Sequence, residues 1–179
     1  MKEKRFLFIF IFFPLLLRAN SPATLSEDDF TLYNRKNGIE LELNEHIDSI
    51  QKKLGMPIEK IYLKERSWPG FLFYTLKYEN VRLQYREGID EAYILVATGS
   101  DYETKRGLKV GDAVSRVYKL YRKSEISAEG KYGNVDAYYI DFELSLGRIG
   151  WKDPSMRLII RHDGEKITRI SLQYDEHSM

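Results

Sequence analysis

Cysteine is absent from this 179-residue sequence. Its absence excludes disulfide bonds, thiolate nucleophiles, metal sites built on cysteine, and lipid attachment to a cysteine behind a signal peptide. The sequence also contains no P-loop, no G-x-G-x-x-G and no G-x-S-x-G, which are common phosphate-binding, dinucleotide-binding and serine-hydrolase motifs. The sequence therefore gives no direct indication of an enzyme, and we predict neither a cofactor nor a bound metal.

Charge of one sign is not in excess either. The chain carries 28 basic and 27 acidic residues, a net charge of +1. Residues 1–23 hold four of the basic residues and one acidic residue, so the remainder has 24 basic and 26 acidic residues and a net charge of −2. Because nucleic-acid binders usually show a clear basic excess, we expect no nucleic-acid partner.

A hydrophobic run long enough to span a membrane is also missing from the N-terminus. Three basic residues precede an apolar run at residues 6–17, which is twelve residues long, whereas a membrane-spanning helix needs about twenty. Cleavage after Ser21 or Ala23 fits the small residues that follow. We predict a signal peptide over residues 1–23, a periplasmic or secreted protein, and no stable membrane span after cleavage. An uncleaved anchor or a buried N-terminal helix is the alternative.

What the sequence does contain is a globular composition with an internal repeat. Hydrophobic residues make up 43% of the chain and charged residues 31%, which argues against disorder. Five apolar positions recur at a spacing of 67 residues: Leu41, Leu43, Ile47, Ile50 and Leu54 match Leu108, Val110, Val114, Val117 and Tyr121. The last three positions of each set have helical spacing, and such self-similarity indicates a duplicated unit. Asn44 and Asp112 are expected to cap the two helices, and Gly55 to end the first.

A strand-rich stretch follows each predicted helix. Arg82, Gln84 and Arg86 alternate with apolar residues, as Tyr139, Asp141 and Glu143 do in the second copy, which predicts strands with one dry and one wet face. Residues 92–97 are apolar on both sides and are expected to form a central strand, and Asp163-Gly164 predicts a hairpin.

These patterns define the expected architecture. We predict an α+β fold in which two helix-plus-antiparallel-sheet units in tandem form one extended sheet, with the helices packed on one face. The units cover residues 36–99 and 104–174, after an N-terminal segment at 24–35 and before a tail at 175–179. Within the N-terminal segment, Ser26 and Asp29 resemble a capping box, and a short helix from about Glu27 to Asn34 is expected.

Short phrases in both copies resemble a known family of envelope proteins. Residues 107–112 (GLKVGD), followed by Val114, Val117 and Tyr121, look like the lead-in and helix of the β-lactamase-inhibitor-protein-like fold, and residues 38–39 with 54–57 form a similar phrase in the first copy. Small envelope proteins of the SmpA/OmlA type, which include the BamE component of the outer-membrane barrel-assembly machine, share related units. The resemblance implies helices on one face of an antiparallel sheet whose open face binds a protein partner.

Titratable residues do not form a recognisable catalytic constellation. His46, His162 and His177 are scattered and are expected to be exposed to solvent rather than to ligate a metal. Asp141 and Glu143 share one predicted strand face, where we expect pairing with arginines of neighbouring strands rather than acid–base catalysis.

The wet sheet face is therefore the predicted binding surface. Its candidate partner-binding residues, together with a tryptophan in the added loop at 147–154, are Arg82, Gln84, Arg86, Tyr139, Asp141, Glu143, Trp151, Arg157, Arg161 and Arg169. Arginine and tyrosine are typical of protein interfaces, although an ordinary solvated sheet face has a similar composition. We expect a non-enzymatic module that binds another envelope or secreted protein. A small-ligand or lipid carrier, and an enzyme whose site is assembled from scattered residues, are the alternatives.

Overall fold

A computed structural model describes residues 25–63, 72–123, 126–132, 139–146 and 156–174 of the chain, with the backbone alone described at 127–132 and 139–146. The predicted signal peptide, Trp151, His177 and the predicted tail lie outside the described residues. A short 3₁₀ helix covers Glu27–Phe30, and the two α-helices are α1 (Ile47–Leu54) and α2 (Ser115–Leu120). The strands are β1 (Thr31–Asn34), β2 (Ile39–Glu42), β3 (Glu59–Leu63), β4 (Phe73–Lys77), β5 (Val81–Arg86), β6 (Ile94–Ala97), β7 (Glu103–Thr104), β8 (Ile126–Tyr132), β9 (Tyr139–Leu146), β10 (Met156–His162) and β11 (Ile167–Tyr174).

Eight of the described strands form one large antiparallel sheet, in the order β3-β4-β5-β6-β11-β10-β9-β8. Each α-helix is followed in the chain by four of these strands, and the last strand of each set, β6 and β11, pair at the centre. The predicted α+β class with an extended antiparallel sheet is confirmed. The prediction that β6 is central and apolar on both faces is also confirmed, because all four of its residues are buried.

One hydrophobic core joins both helices to the inner face of this sheet. Ile50 of α1 and Val117 of α2 are fully buried in the same cluster, together with Leu83, Leu95 and Leu158 of the sheet. Leu41 and Leu108, which are also equivalent in the predicted repeat, are fully buried there too. The two helices therefore contribute matched apolar positions to a shared core, while the duplication itself stays a prediction.

A smaller sheet lies at the N-terminal side, in the order β2-β1-β7. The prediction of a helix from Glu27 to Asn34 is wrong beyond Phe30, since strand β1 begins at Thr31. The β-branched and aromatic residues that follow Phe30 favour a strand, and β1 satisfies its backbone groups by pairing with β2 on one side and β7 on the other. The capping box of Ser26 and Asp29 is present as predicted.

The helix caps differ from the predicted ones. His46 caps α1, with its Nδ1 atom accepting a hydrogen bond from the backbone N–H of Asp48 at 3.2 Å. Asn44 instead has a φ of 64°, and its backbone N–H donates to Ala92 O at 2.8 Å. Asp112 accepts from the N–H of Lys109 at 3.0 Å and lies before α2 rather than capping it. These corrections arise because tight turns, which tolerate left-handed residues such as asparagine, precede both helices.

The end of α1 agrees with the prediction. Gly55 follows the helix with a φ of 80°, a left-handed value that side chains other than glycine adopt at a cost. Its backbone N–H donates to Gln51 O at 2.8 Å, which satisfies one of the free carbonyls of the last turn.

Candidate protein-binding face

Strand register places the predicted binding residues on the face of the large sheet opposite the helices, which we call the outer face. One row across this face aligns Arg82, Val96, Ser171, Ile159 and Glu143 on β5, β6, β11, β10 and β9. Residues one position along each strand, such as Leu83 and Leu95, point to the inner face because side chains alternate along a strand. The alternation read from the sequence therefore assigns β5 and β10 to the correct faces.

The centre of the outer face is an apolar cluster rather than a wet surface. Tyr93, Ile94 and Val96 are buried, and Phe73 of β4 packs against them. The rings of Phe73 and Tyr93 lie 5.5 Å apart at a tilt of 56°, which is a favourable arrangement for aromatic pairs. The Tyr93 hydroxyl donates to Gln84 Oε1 at 3.3 Å, so a predicted binding residue borders the cluster directly.

Arginines lie on both sides of the β6 part of this cluster. Arg82 on β5 is exposed, and Arg86, Arg157, Arg161 and Arg169 are partly buried. The β5 group and the β10–β11 group are separated by β6, so β5 and β11 lie about 10 Å apart at normal strand spacing. The structure thus brings the six candidates whose side chains are described, five arginines and Gln84, onto one face in two groups.

The second basic group is built by register and by a side-chain hydrogen bond. Arg161 of β10 is opposite Arg169 of β11 on one side and Asp141 of β9 on the other. Arg169 Nε donates to Ser171 Oγ at 3.1 Å, and Ser171 is only 6% exposed. The backbone of β9 places Tyr139, Asp141 and Glu143 at the predicted strand positions, whereas Trp151 lies outside the described residues.

Histidines contribute differently from the prediction. His46 is exposed as expected, but the expectation that His162 is exposed is wrong, since it is only 6% exposed. His162 continues the inward positions of Leu158 and Ile160 along β10, so strand alternation could have revealed its burial. Its Nδ1 atom accepts from the N–H of Gly164 at 3.1 Å, which ties the side chain to the hairpin turn.

The described carboxylates with shifted pKa values lie in turns between strands. Hydrogen bonding to Lys36 lowers the pKa of Asp101, and backbone N–H donors of Lys166 and Glu165 lower the pKa of Asp163. A general acid at neutral pH needs the opposite shift. Burial raises the pKa of Tyr85 in the core. Within the described ranges, no group of three or more histidine, aspartate or glutamate residues is placed to hold a metal ion.

Two open grooves flank the small sheet. One, of about 700 Å³, runs along β1 and β2 past Tyr33, Glu40 and Lys105. The other, of about 420 Å³, lies beside the C-terminal end of α1, where Met56, Ile58 and Tyr78 line it. Either groove is large enough for a small ligand or a peptide segment, but neither contains a predicted binding residue.

Sequence reasoning missed a group of exposed apolar side chains at one edge of the large sheet. Met56, Ile58, Ile61, Tyr62 and Leu72 are between 37% and 80% exposed, and they lie on or beside the edge strand β3 and the start of β4. The apolar alternation expected of a half-buried strand is missing from residues 59–63, whose first four residues are all exposed. That missing alternation is the feature that could have identified this edge.

Comparison with known proteins adds little to this description. No model of a known protein family matches the sequence, and no curated protein matches it significantly. No helix within the described residues is long and apolar enough to cross a membrane.

Two solved structures resemble the chain distantly. One is a cysteine-rich secretory protein from Staphylococcus aureus subsp. aureus Mu50, with 14% identity, a TM-score of 0.43, and coverage of 76% of this chain and 50% of that one. The other is an extracellular protein containing an SCP domain from Bacillus anthracis str. Ames, with 12% identity, a TM-score of 0.46, and coverage of 88% and 50%. This chain thus spans about half the length of each, and similarity at this level establishes no shared function.

Proposed function

We propose that this chain is an exported, non-enzymatic protein-binding module of the cell envelope, periplasmic or secreted, that binds another envelope or secreted protein through its outer face. The observation that carries the proposal is the composition of that face. An apolar cluster centred on β6 (Tyr93, Ile94 and Val96) lies between the arginines of β5 and those of β10 and β11, and Phe73 of β4 packs against it.

This arrangement has the properties of a protein-recognition surface. Interfaces are enriched in aromatic residues and arginine, with apolar contacts at the centre and polar groups at the rim. Arg82 and Gln84 border the cluster, and Gln84 already accepts a hydrogen bond from Tyr93. A partner with a small apolar protrusion and acidic residues around it would complement both features, and electrostatic complementarity would fix its orientation.

The two described aspartates with shifted pKa values have the lowered pKa of a hydrogen-bonded carboxylate, not the raised pKa of a general acid. The aspartates with shifted pKa values are stabilised in their charged forms by Lys36 and by backbone N–H groups, as expected of structural hydrogen bonds. The carrier alternative would use the 420 Å³ groove beside Met56 and Tyr78, which is open to solvent on the opposite side of the sheet from the arginines. The resemblance to envelope proteins of the SmpA/OmlA type also implies protein binding through the open face of the sheet. This resemblance stays a prediction.

A site-specific photo-crosslinking experiment tests the proposal. A photoreactive amino acid at position 82 of the full chain, expressed in its own cell envelope, should capture one discrete protein partner. The same amino acid at Lys52, which is exposed on α1 at the helix side of the sheet, should not capture that partner.

Charge reversal supplies the second arm of the test. Arg82→Glu should weaken binding of the captured partner by at least about tenfold, while Lys52→Glu, an equal change in charge, should leave the affinity unchanged. Equal capture from positions 82 and 52, or an affinity insensitive to Arg82→Glu, would contradict binding through the outer face.

A further inference from the structure

The two edges of the large sheet differ in how they are protected. Among the described strands, β3 and β8 each have a single neighbour. Strand β8 has a register irregularity between Ile126 and Ala128 and contains Gly130 in its interior, and bulges and weak strand formers of this kind discourage pairing with another chain. Strand β3 pairs with β4 in regular register over all five of its residues, so no bulge interrupts it.

Strand β3 also carries apolar side chains that no described segment covers. Ile61 is 37% exposed and Tyr62 is 57% exposed, while Ile58, just before the strand, is 69% exposed. Soluble proteins rarely leave a group of large apolar side chains in water beside an open strand edge, and such an edge usually marks an interaction site. We infer that β3 pairs in antiparallel register with β3 of a second copy of this chain, which makes the large sheets of two copies continuous.

The sequence of β3 is complementary to itself in only one suitable register. A two-fold axis perpendicular to the sheet keeps the outer faces of both copies on one side, so each residue must be opposite a residue of the same face. Centring the pair on Ile61 places Ile61 opposite itself, Lys60 opposite Tyr62, and Glu59 opposite Leu63. All five residues are paired, and no like charges face each other.

The smallest shift of the pairing that still keeps same-face residues opposite each other removes this complementarity. In one direction, Lys60 is opposite Lys60 of the second copy, which is destabilising. In the other direction, only three of the five residues of β3 remain paired.

The inner face of β3 already contains contacts between a cation and aromatic rings. Lys60 Nζ lies 4.0 Å from the ring centroid of Tyr74 and 5.1 Å from that of Tyr62. The rings of Tyr62 and Tyr74 lie 6.1 Å apart, and Tyr74 stacks on Tyr85 at 5.4 Å. In the paired register, Lys60 of one copy is also opposite Tyr62 of the other, which extends this cation–aromatic row across the two-fold axis.

The size of the contact indicates a weak association. A standard stable interface buries about 800 Å² on each partner, which a five-residue strand and its flanking side chains approach only in part. We therefore expect a dissociation constant in the micromolar range. Strand β3 lies at an edge that the proposed outer-face interface does not use, so pairing of two copies and partner binding are tested separately.

A single introduced cysteine tests this register, because the chain contains no natural cysteine. At the two-fold axis, Ile61→Cys places two Cα atoms about 4.5 to 5.5 Å apart, which suits a disulfide bond. Ile58→Cys is the matched control, since Ile58 is more exposed but its two copies would lie about 20 Å apart along the strands. Under mild oxidation of the full chain, the dimer yield should be at least about tenfold higher for Ile61→Cys than for Ile58→Cys. Equal yields from the two variants, or no cross-linked dimer from either, would overturn the inference.

Complementary charges at the axis supply an independent test. Ile61→Lys and Ile61→Glu should each sediment as monomers at concentrations where the unaltered chain dimerises, and an equimolar mixture should recover the dimer. Circular dichroism checks that both variants are folded. If either fails to fold, hydrogen exchange of the unaltered chain decides the matter: the amides of residues 59–63 that point away from β4 should gain protection with rising concentration while those of β8 do not. A monomer at all concentrations, or a dimer indifferent to Ile61→Lys, would contradict β3 pairing.

Discussion

Arg106 and Asp29 form a bidentate ion pair that joins the N-terminal 3₁₀ helix to the segment after β7. Arg106 Nε and Nη2 donate to the two carboxylate oxygens of Asp29 at 2.7 and 2.8 Å, and the side chains are only 12% and 3% exposed. Arg106 also donates to Leu120 O at 2.8 Å and stacks over the ring of Tyr121 at 4.7 Å. One guanidinium therefore connects three parts of the chain, including the C-terminal end of α2.

Replacing this arginine should be strongly destabilising. We expect Arg106→Ala to lower the free energy of unfolding by about 3 kcal/mol, because the Asp29 carboxylate would stay buried without its cation. Denaturant titration of purified protein measures the change. Arg106→Lys should not restore full stability, since a lysine cannot make the two parallel hydrogen bonds.

The adjacent residue provides the control for this prediction. Lys105 pairs with Asp28 at 2.9 Å, but both side chains are at least half exposed. Lys105→Ala should leave stability essentially unchanged because exposed ion pairs contribute little. Equal losses from Arg106→Ala and Lys105→Ala would show that the burial of the pair is not what matters.

The second prediction concerns Ile50, the buried apolar residue of α1. Ile50 is fully buried against the sheet, so Ile50→Ala should cost about 3 kcal/mol of unfolding free energy through lost burial and a new cavity. Lys52→Ala, two residues further along the same helix and exposed, should change it by less than about 0.5 kcal/mol. Comparable effects of the two changes would contradict the packing of α1 described above.

The third prediction concerns a hydrogen bond between two buried hydroxyl groups. The Tyr121 hydroxyl donates to Thr104 Oγ1 at 2.9 Å, and both residues are completely buried. Tyr121→Phe should lower the free energy of unfolding by about 1 kcal/mol while preserving the ring packing. Tyr62→Phe, at a residue that is 57% exposed, should have no measurable effect in the same denaturant titration. An unchanged free energy of unfolding in Tyr121→Phe would show that this hydrogen bond contributes no net stability.

The fourth prediction concerns the pH dependence of stability, which depends on Asp163 in the β10–β11 turn. Backbone N–H groups of Lys166 and Glu165 donate to Asp163 Oδ1 at 2.8 and 2.9 Å and lower the pKa of this carboxyl below its ordinary value of 3.8. The charged form is favoured in the folded state, so its stabilisation is complete above the ordinary pKa and is lost as the pH falls through the lower folded pKa.

Thermal melting as a function of pH measures this contribution. Asp163→Ala should lower the melting temperature by a few degrees at neutral pH, and the difference from the unaltered chain should shrink below about pH 4. Glu165→Ala, in the same turn and exposed, should not show this pH-dependent difference. A difference that persists unchanged in acid would mean that the backbone conformation of the turn, rather than the carboxylate charge, is responsible.

Much of the candidate face could be predicted from local patterns. The alternation around Arg82 and Gln84 assigned β5 to the correct faces, and Asp163-Gly164 identified the β10–β11 hairpin. Such patterns succeed because side-chain direction along a strand and the backbone of a tight turn depend on neighbouring residues. Asn44 and the residues after Phe30 were misassigned because distant partners, Ala92 for the first and strands β2 and β7 for the second, determine their conformations.

The amino-acid sequence by itself determined the α+β class, the apolar stripes of the two helices and the alternation of the strands, because these follow from residue spacing of three to four or of two. Only the tertiary structure decided which strands became neighbours. Pairing between β6 and β11 brought the two groups of arginines to opposite sides of the apolar residues of β6, and among the described strands β3 remained a regular, apolar edge. Pairing of strands distant in sequence depends on the packing of the whole core, which no local pattern encodes.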